Sequence, residues 1–370
     1  MATTNQEHQA ATAGRNEKPP RGTAPLHFVD DEWLALRDED VLDPARPIVD
    51  PHQHLWDGHH TYLVPQLLQD LACGHDIRGT VFVECSFMYR ADGDPRFASV
   101  GEVEWANGVG AEFASGAHGP LRANAGIVGR VDLTLGTAAR EVLQACKARA
   151  PDRFKGIRHM AAWDASAEVS TLRRPPPQDL LLDARFREGF AQLAPLGLSF
   201  DAWVYHPQLP QLVDLVDAFP DTRVIVDHCG GLAAKGPYAM RREESFREWQ
   251  ASIRELARRP NTVVKVGGLN MRLFNFPFID RDLPPTSEEL AQAWKPIVET
   301  CIEAFGPRRT MFESNFPPDK CGVSPRVLWN AFKRLAAPYS EDEKAALFAG
   351  TAVDVYRLPA ALAQPSPRAA

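Results

Sequence analysis

Between about Pro47 and Leu358 the chain alternates short, mostly apolar runs with longer segments whose apolar positions recur every three or four residues. The first pattern suits strands and the second amphipathic helices. Strands are predicted at residues 48–50, 80–85, 123–128, 154–158, 198–203, 223–227, 262–266 and 310–312. Several of these runs are apolar throughout, as in strands buried on both faces. Helices are predicted at 63–71, 100–114, 138–149, 185–193, 210–219, 244–258 and 288–305, with two more, 325–335 and 341–355, after the last strand. Eight strands alternating with helices predict an α/β fold, the (β/α)8 TIM barrel. A doubly wound sheet is the rival, but it would bring a glycine-rich phosphate turn after its first strand, where this chain has His52-Gln53-His54.

A single catalytic domain is expected over residues 26–358, between a disordered polar tail (1–25) and a flexible Ala- and Pro-rich tail (359–370). Within residues 26–46, Phe28, Trp33, Leu34 and Leu36 form a short apolar pattern expected to pack across the barrel as an N-terminal extension. Residues 161–183 and 274–285 read as loop insertions. Both follow strands, which places them on the catalytic face of a barrel.

The net charge of −7, with no long basic run, argues against nucleic acid or an anionic membrane as partner. No apolar run is long enough to span a bilayer, and the N-terminus lacks the apolar core of a secretory signal. The 6 cysteines are scattered without Cys-x-x-Cys pairs, which fits reduced thiols in a cytoplasm. The expected partner is a small-molecule substrate, with further copies of the same chain in a homo-oligomer as the one macromolecular option.

The chemistry concentrates at predicted strand ends. Alternate residues on a strand face the same way, so His52 and His54 can aim both imidazoles at one point, as metal ligands do; the structural alternative is a buried, hydrogen-bonded pair. Of the chain's 11 histidines, His52, His54, His159, His206 and His228 all fall at strand ends, too many for chance placement. Glu84 ends the second strand inside an apolar run, where desolvation would raise its pKa towards that of a general base; its alternative is a salt-bridged structural carboxylate. Arg158 ends the fourth strand and suits a substrate carboxylate, or else orients strand-end carboxylates. Tyr89, Arg90, Trp163, Tyr205, Asn270 and Lys320 are further candidates for contacting substrate, with Trp203 as part of an apolar wall. Gly230-Gly231 and Gly267-Gly268 read as tight turns.

Three motifs carry a resemblance: Asp50-Pro-His-Gln-His-Leu-Trp-Asp57, Asp227-His-Cys-Gly-Gly231 and Met311-Phe-Glu-Ser-Asn-Phe-Pro-Pro-Asp-Lys320. Together they resemble the amidohydrolase superfamily, in particular its branch of TIM-barrel hydrolases that includes 2-pyrone-4,6-dicarboxylate lactonase and L-fuconolactonase. The resemblance implies that His52 and His54 serve as metal or substrate-polarising histidines, and that His206 and His228 fill the strand-five and strand-six positions of the metal set. It also implies an aspartate that activates water at the end of strand eight. This chain has Asn315 there, and a neutral amide accepts no proton at ordinary pH. With no lysine at the end of strand four to be carbamylated, at most one divalent ion, zinc by imidazole preference, is expected. The displaced base is then sought among Glu84, Asp227, His206 and Asp319.

The leading expectation is a metal-assisted hydrolase of a lactone or related cyclic ester bearing a carboxylate. The alternative is a metal-dependent decarboxylase of an aromatic or unsaturated acid, which would release carbon dioxide. A catalytically silent, ligand-binding barrel is the third, and would show neither metal nor turnover.

Overall fold

A computed structural model describes residues 29–58, 60–170 and 174–364. The tail expected over 1–25, Phe28 and the last six positions of the C-terminal tail lie outside the described residues. Eight parallel strands follow one another round a single sheet: β1 (Pro47–Gln53), β2 (Asp76–Val83), β3 (Arg122–Gly129), β4 (Phe154–Arg158), β5 (Ser199–Ala202), β6 (Val224–Val226), β7 (Thr262–Val266) and β8 (Thr310–Phe312). Each is followed by its helix: α1 (Val64–Leu71), α2 (Val100–Ala114), α3 (Ala139–Arg149), α4 (Ala184–Phe190), α5 (Leu209–Ala218), α6 (Arg242–Ala257), α7 (Ser287–Phe305) and α8 (Pro325–Leu335). β8 meets β1 beyond its last strand residue: Asn315 N donates to His52 O (3.0 Å) and His54 N to Phe316 O (2.8 Å). The seam that closes the barrel therefore also holds the His-x-His segment and Asn315 together.

The side-chain alternation of a strand sorts residues into two layers inside the barrel. Val49, Val81, Val128, Ile225, Val263 and Met311 form an apolar floor. Two positions further along their strands, Ile225, Val263 and Met311 give way to Asp227, Lys265 and Glu313, all buried. The residues between them, such as Phe200, Val226, Val264 and Phe312, face outward and pack with the helices.

The floor is sealed from below by the C-terminal segment. The expected helix over 341–355 is broken into Glu341–Ala345, a π-helical turn Ala346–Gly350 and Thr351–Val355. The wider turn turns four consecutive apolar residues, Ala346-Leu347-Phe348-Ala349, into the protein, which a regular helix could not do without exposing some of them. The predicted 185–193 helix ends at Phe190 and passes into a tighter turn, Ala194–Leu196, at Pro195, which cannot extend an α-helix. In the N-terminal extension Trp33 and Leu34 are buried as expected, but Leu36 is 58% exposed.

Tyr356 rises from the C-terminal segment through the floor, and its hydroxyl donates to Asp201 Oδ2 at 2.7 Å. Tyr356→Phe should lower stability by about 1–3 kcal/mol, because a buried carboxylate oxygen loses a donor. Urea unfolding checks this: the midpoint should fall with the slope unchanged.

Candidate active site

The polar layer centres on Lys265, which is fully buried. Its ammonium lies 2.6 Å from Asp201 Oδ2, 3.1 Å from Asp227 Oδ1 and 3.1 Å from His52 Nδ1. Arg158, the last residue of β4, crosses the barrel mouth: Nε donates to Glu84 Oε1 (2.8 Å) and Nη2 to the Glu84 carbonyl (2.7 Å), while Nη1 lies 3.3 Å from His52 Nε2 and 3.7 Å from Asp227 Oδ2. Glu313 Oε1 accepts from both the backbone N (3.2 Å) and Nδ1 (2.7 Å) of His228, and Glu313 Oε2 lies 2.9 Å from His52 Nδ1. Four buried carboxylates (Glu84, Asp201, Asp227, Glu313) thus face two buried cations (Arg158, Lys265), a formal charge of −2 before the histidines are counted.

Burial and the nearest charges set the protonation states. Burial pushes the carboxyl of Asp227 up, but Lys265 and His52 outweigh it and hold it well below the ordinary range. Burial also opposes ionisation of Glu313, yet His228 and His52 pull it down to about 2. Asp201, more weakly compensated against burial, sits at about 6. Burial, aided by Lys265, lowers the pKa of His52, and burial with His52 and Arg158 lowers that of His54 well below the usual value. Both imidazoles are therefore neutral at pH 7, the form that binds metal.

The donor set suits a divalent cation. His54 Nδ1 donates to Val83 O at 2.8 Å, which leaves Nε2 as its lone-pair nitrogen, 3.2 Å from His52 Nε2. Two imidazoles sharing a tetrahedral ion at about 2.0–2.1 Å would have their nitrogens about this far apart. His52, Asp227 and His228 each bring a ligating atom within 4.8 Å of the others, and Asp227 Oδ2 has no hydrogen-bond partner. Carboxylate and carbonyl partners on the opposite ring nitrogens are the usual outer support of metal-bound histidine. Glu313 and Lys265 compete for His52 Nδ1, and only the Glu313 contact leaves His52 Nε2 free to ligate.

Above this layer opens a cavity of about 370 Å3, lined among others by His54, Trp56, Phe87, Arg158, Met160, Trp203, His228, Met271 and Asn315. The backbone at its edge is strained: His228 (φ 53°), Cys229 (φ 54°) and Asn315 (φ 52°) occupy the left-handed region, which bulky residues adopt at a cost. Gly268 (φ 67°) makes room, since a Cβ there would lie 2.6 Å from His228 Nδ1. Asn315 is held from behind: its Nδ2 donates to Asp319 Oδ2 (2.6 Å), and Asn270 N donates to Asp319 Oδ1 (2.5 Å). Burial, only partly offset by Asn315, pushes Asp319 up to about 7.

The structure brings together His52, His54, Glu84, Arg158, His228 and Asn315, with Asn270 just behind. It separates the others. His206 does not join the metal set: its Nδ1 accepts from Ala233 N at 3.1 Å and its ring packs on Tyr238, because it begins the turn after β5 and faces outward. Asp227 is the residue that clusters with His52 and His228. His159 follows Arg158 and so faces the opposite way, accepting from Leu133 N and packing on Phe186. Arg90 is paired with Glu104 near the surface, and Lys320 with Asp31 and Asp70. Trp163 lines a different hollow beside Gln208, Tyr205 packs edge-on against Trp203, and Tyr89 lies outside the cavity's lining. Glu84 follows its structural alternative, an ion pair with Arg158. The sequence reading gave no role to Lys265, Asp201 or Glu313; the signal was the alternation Val263-x-Lys265, Met311-x-Glu313 and Ser199-x-Asp201.

Removing Lys265 leaves buried carboxylates uncompensated. Lys265→Met should destabilise by about 3–5 kcal/mol, measured by urea unfolding; a loss under about 1 kcal/mol would show the layer to be better hydrated than its burial indicates. The folded carboxyl of Asp319 lies above its ordinary 3.8. Such a group contributes stability at acid pH that drains away as pH rises from about 4 to about 7, at up to about 1.4 kcal/mol per pH unit. Asp319→Asn should flatten part of that fall when unfolding is followed across this window.

Comparison with known proteins agrees with this fold. A family model described as Amidohydrolase matches residues 49–358. An uncharacterized protein, y4mH, of Sinorhizobium fredii is 31% identical over 337 residues, covering 84% of this chain and 98% of the relative. An L-fucono-1,5-lactonase of Burkholderia ambifaria is 28% identical over 241 residues, 63% of this chain and 71% of its own. A crystal structure of a Burkholderia multivorans amidohydrolase with bound zinc superposes with a TM-score of 0.62 at 23% identity, covering 85% of this chain and all of that one.

Proposed function

The chain belongs to the amidohydrolase family, and we propose that within it this enzyme hydrolyses a lactone or related cyclic ester. The observation that carries the reading is the His228–Glu313 pair at the cavity wall, beside a guanidinium that lines the same cavity. Similarity to L-fucono-1,5-lactonases supports it.

The chain's own residues divide the work. Glu313 binds His228 Nδ1 and stays ionised, so the other ring nitrogen can take a proton from attacking water while the carboxylate stabilises the imidazolium that forms. Arg158 Nη1, the nitrogen not bound to Glu84, is placed to donate to the carbonyl oxygen as negative charge develops there. Asn315, its amide fixed by Asp319, orients water or the ester. The water oxygen bonds to the carbonyl carbon, the ring C–O bond breaks, and the proton held by His228 passes to the departing oxygen. His52, His54 and Asp227 would hold a divalent ion, zinc by ligand type, which supplies Lewis acidity and a bound water of pKa near 7. A zinc-bound structure of similar fold supports that assignment.

One observation favours a second reading. Asn315 stands where a water-activating aspartate is expected, and loss of carbon dioxide has no attacking water to activate. Carbon dioxide release from carboxylated aromatics, without ring-opening of lactones, would select it.

The test is metal analysis of purified protein together with a lactone assay followed by pH change. About one divalent ion per chain is expected, with His52→Ala/His54→Ala losing the ion and at least about a hundredfold in kcat while keeping the wild-type circular dichroism. His228→Gln should cut kcat at least about a hundredfold while keeping the wild-type circular dichroism. Full activity in His228→Gln would rule out this histidine as the proton acceptor.

A further inference from the structure

The cavity above the imidazoles has two kinds of wall, a polar one that includes Asp57, His60, Ser86 and Asn315, and an apolar one. Trp56, Phe87, Met160, Trp203 and Met271 give it aromatic and thioether surface. The Trp56 ring lies nearly parallel to His54 (20°, 5.7 Å between centroids), and Trp203 meets His228 edge-on at 4.7 Å, so both indoles border the reactive imidazoles. Aromatic rings and thioethers favour flat, polarizable ligands.

Positive charge is what the cavity lacks. Among the described residues lining it, Arg158 is the one lysine or arginine, and two of its three nitrogens are bound to Glu84. Its charge is also balanced by Asp227, 3.7 Å from Nη1. The layer beneath is formally −2 by the residues counted above, so even a divalent ion would bring it only to neutrality. Asp57 adds a further carboxylate to the lining. Arg90 and Lys320, the other cations that could have met a substrate anion, are in ion pairs elsewhere. A substrate carboxylate would therefore lose its hydration without gaining a counter-ion. Among the described lining residues Asp57, Ser86, Asn315 and the imidazoles offer hydrogen bonds, and the hydroxyls of a polyhydroxylated ring beyond their reach would lie against indole and thioether surface.

We infer that this cavity selects an uncharged, flat, largely hydrocarbon cyclic ester over carboxylated or polyhydroxylated lactones. The inference rests on the lactone-hydrolase reading but concerns binding, which can be measured without turnover. Calorimetric titration with coumarin and with coumarin-3-carboxylate compares two ligands that differ by the charged group. Coumarin should bind at least tenfold more tightly, and Trp56→Leu should weaken it severalfold while leaving the fold intact by circular dichroism. Equal or tighter binding of the carboxylate, or binding of neither, overturns the inference. In the companion assay dihydrocoumarin should exceed D-glucono-1,5-lactone and a pyrone carboxylate in kcat/KM by at least tenfold. Preferred turnover of either polar lactone sinks the substrate class but upholds lactone hydrolysis. Coumarin preference with no lactone turned over upholds the class and sinks the hydrolase reading.

Discussion

A lysine with no exposure to water holds the catalytic end of this barrel together. Lys265 sits in the interior between Asp201 and Asp227, with His52 Nδ1 as a third contact. Placing one ammonium in that position is expensive in desolvation, and it is tolerated only because several acceptors converge on it. The dependence runs both ways. Without the ammonium the surrounding carboxylates would be driven to protonate, and a neutral Asp227 would be a poor cation ligand. The excess of carboxylates over cations then determines what else the layer can accept: neutral imidazoles, a guanidinium, or a metal ion.

The apolar floor makes this charge density possible. Val49, Val81, Val128, Ile225, Val263 and Met311 separate the polar layer from the bottom of the barrel, and the C-terminal π-helical turn closes it. Tyr356 joins the two layers by sending a hydroxyl up to Asp201. The low-dielectric floor strengthens every ion pair above it and also raises the penalty for any that is left unmade. Stability and catalytic poise are thus set by the same residues, which is why the strained backbone at His228, Cys229 and Asn315 can persist at the rim.

Much of this was legible in the sequence, and the parts that were not share a cause. Strands β4, β7 and β8 were located to the residue because each is bounded by turn chemistry and changes period abruptly. His52 and His54 were paired correctly because same-strand geometry is local. His206 was misplaced because a residue just past a strand end no longer obeys the strand's alternation; it falls in a turn whose direction depends on Gly231, whose Cβ would lie 2.1 Å from Val204 O. Arg158 was placed at the mouth, but its partner could not be read, since Glu84 is 74 residues away. Lys265 was visible as a charge within Thr-Val-Val-Lys-Val. Its meaning depends on three other strands, and no single segment carries that information.

Arg158 shows how a shared fold can arrive at a different chemistry. An arginine at the mouth of a barrel is a natural anchor for an anionic substrate when its fork is free. Here Glu84 follows β2 and takes both the side-chain Nε and, through its carbonyl, Nη2. What remains at the cavity is Nη1, which already lies against His52 Nε2 and Asp227 Oδ2 in a charge-balanced group, so the bidentate fork that recognises a carboxylate is taken. The same pairing fixes the guanidinium beside His52, where a freely moving arginine would compete with any metal ion. A single carboxylate just past the second strand therefore fixes how much of the guanidinium faces the cavity and where it stands beside the imidazole pair, and swapping the residue at position 84 is the smallest change that would alter both at once.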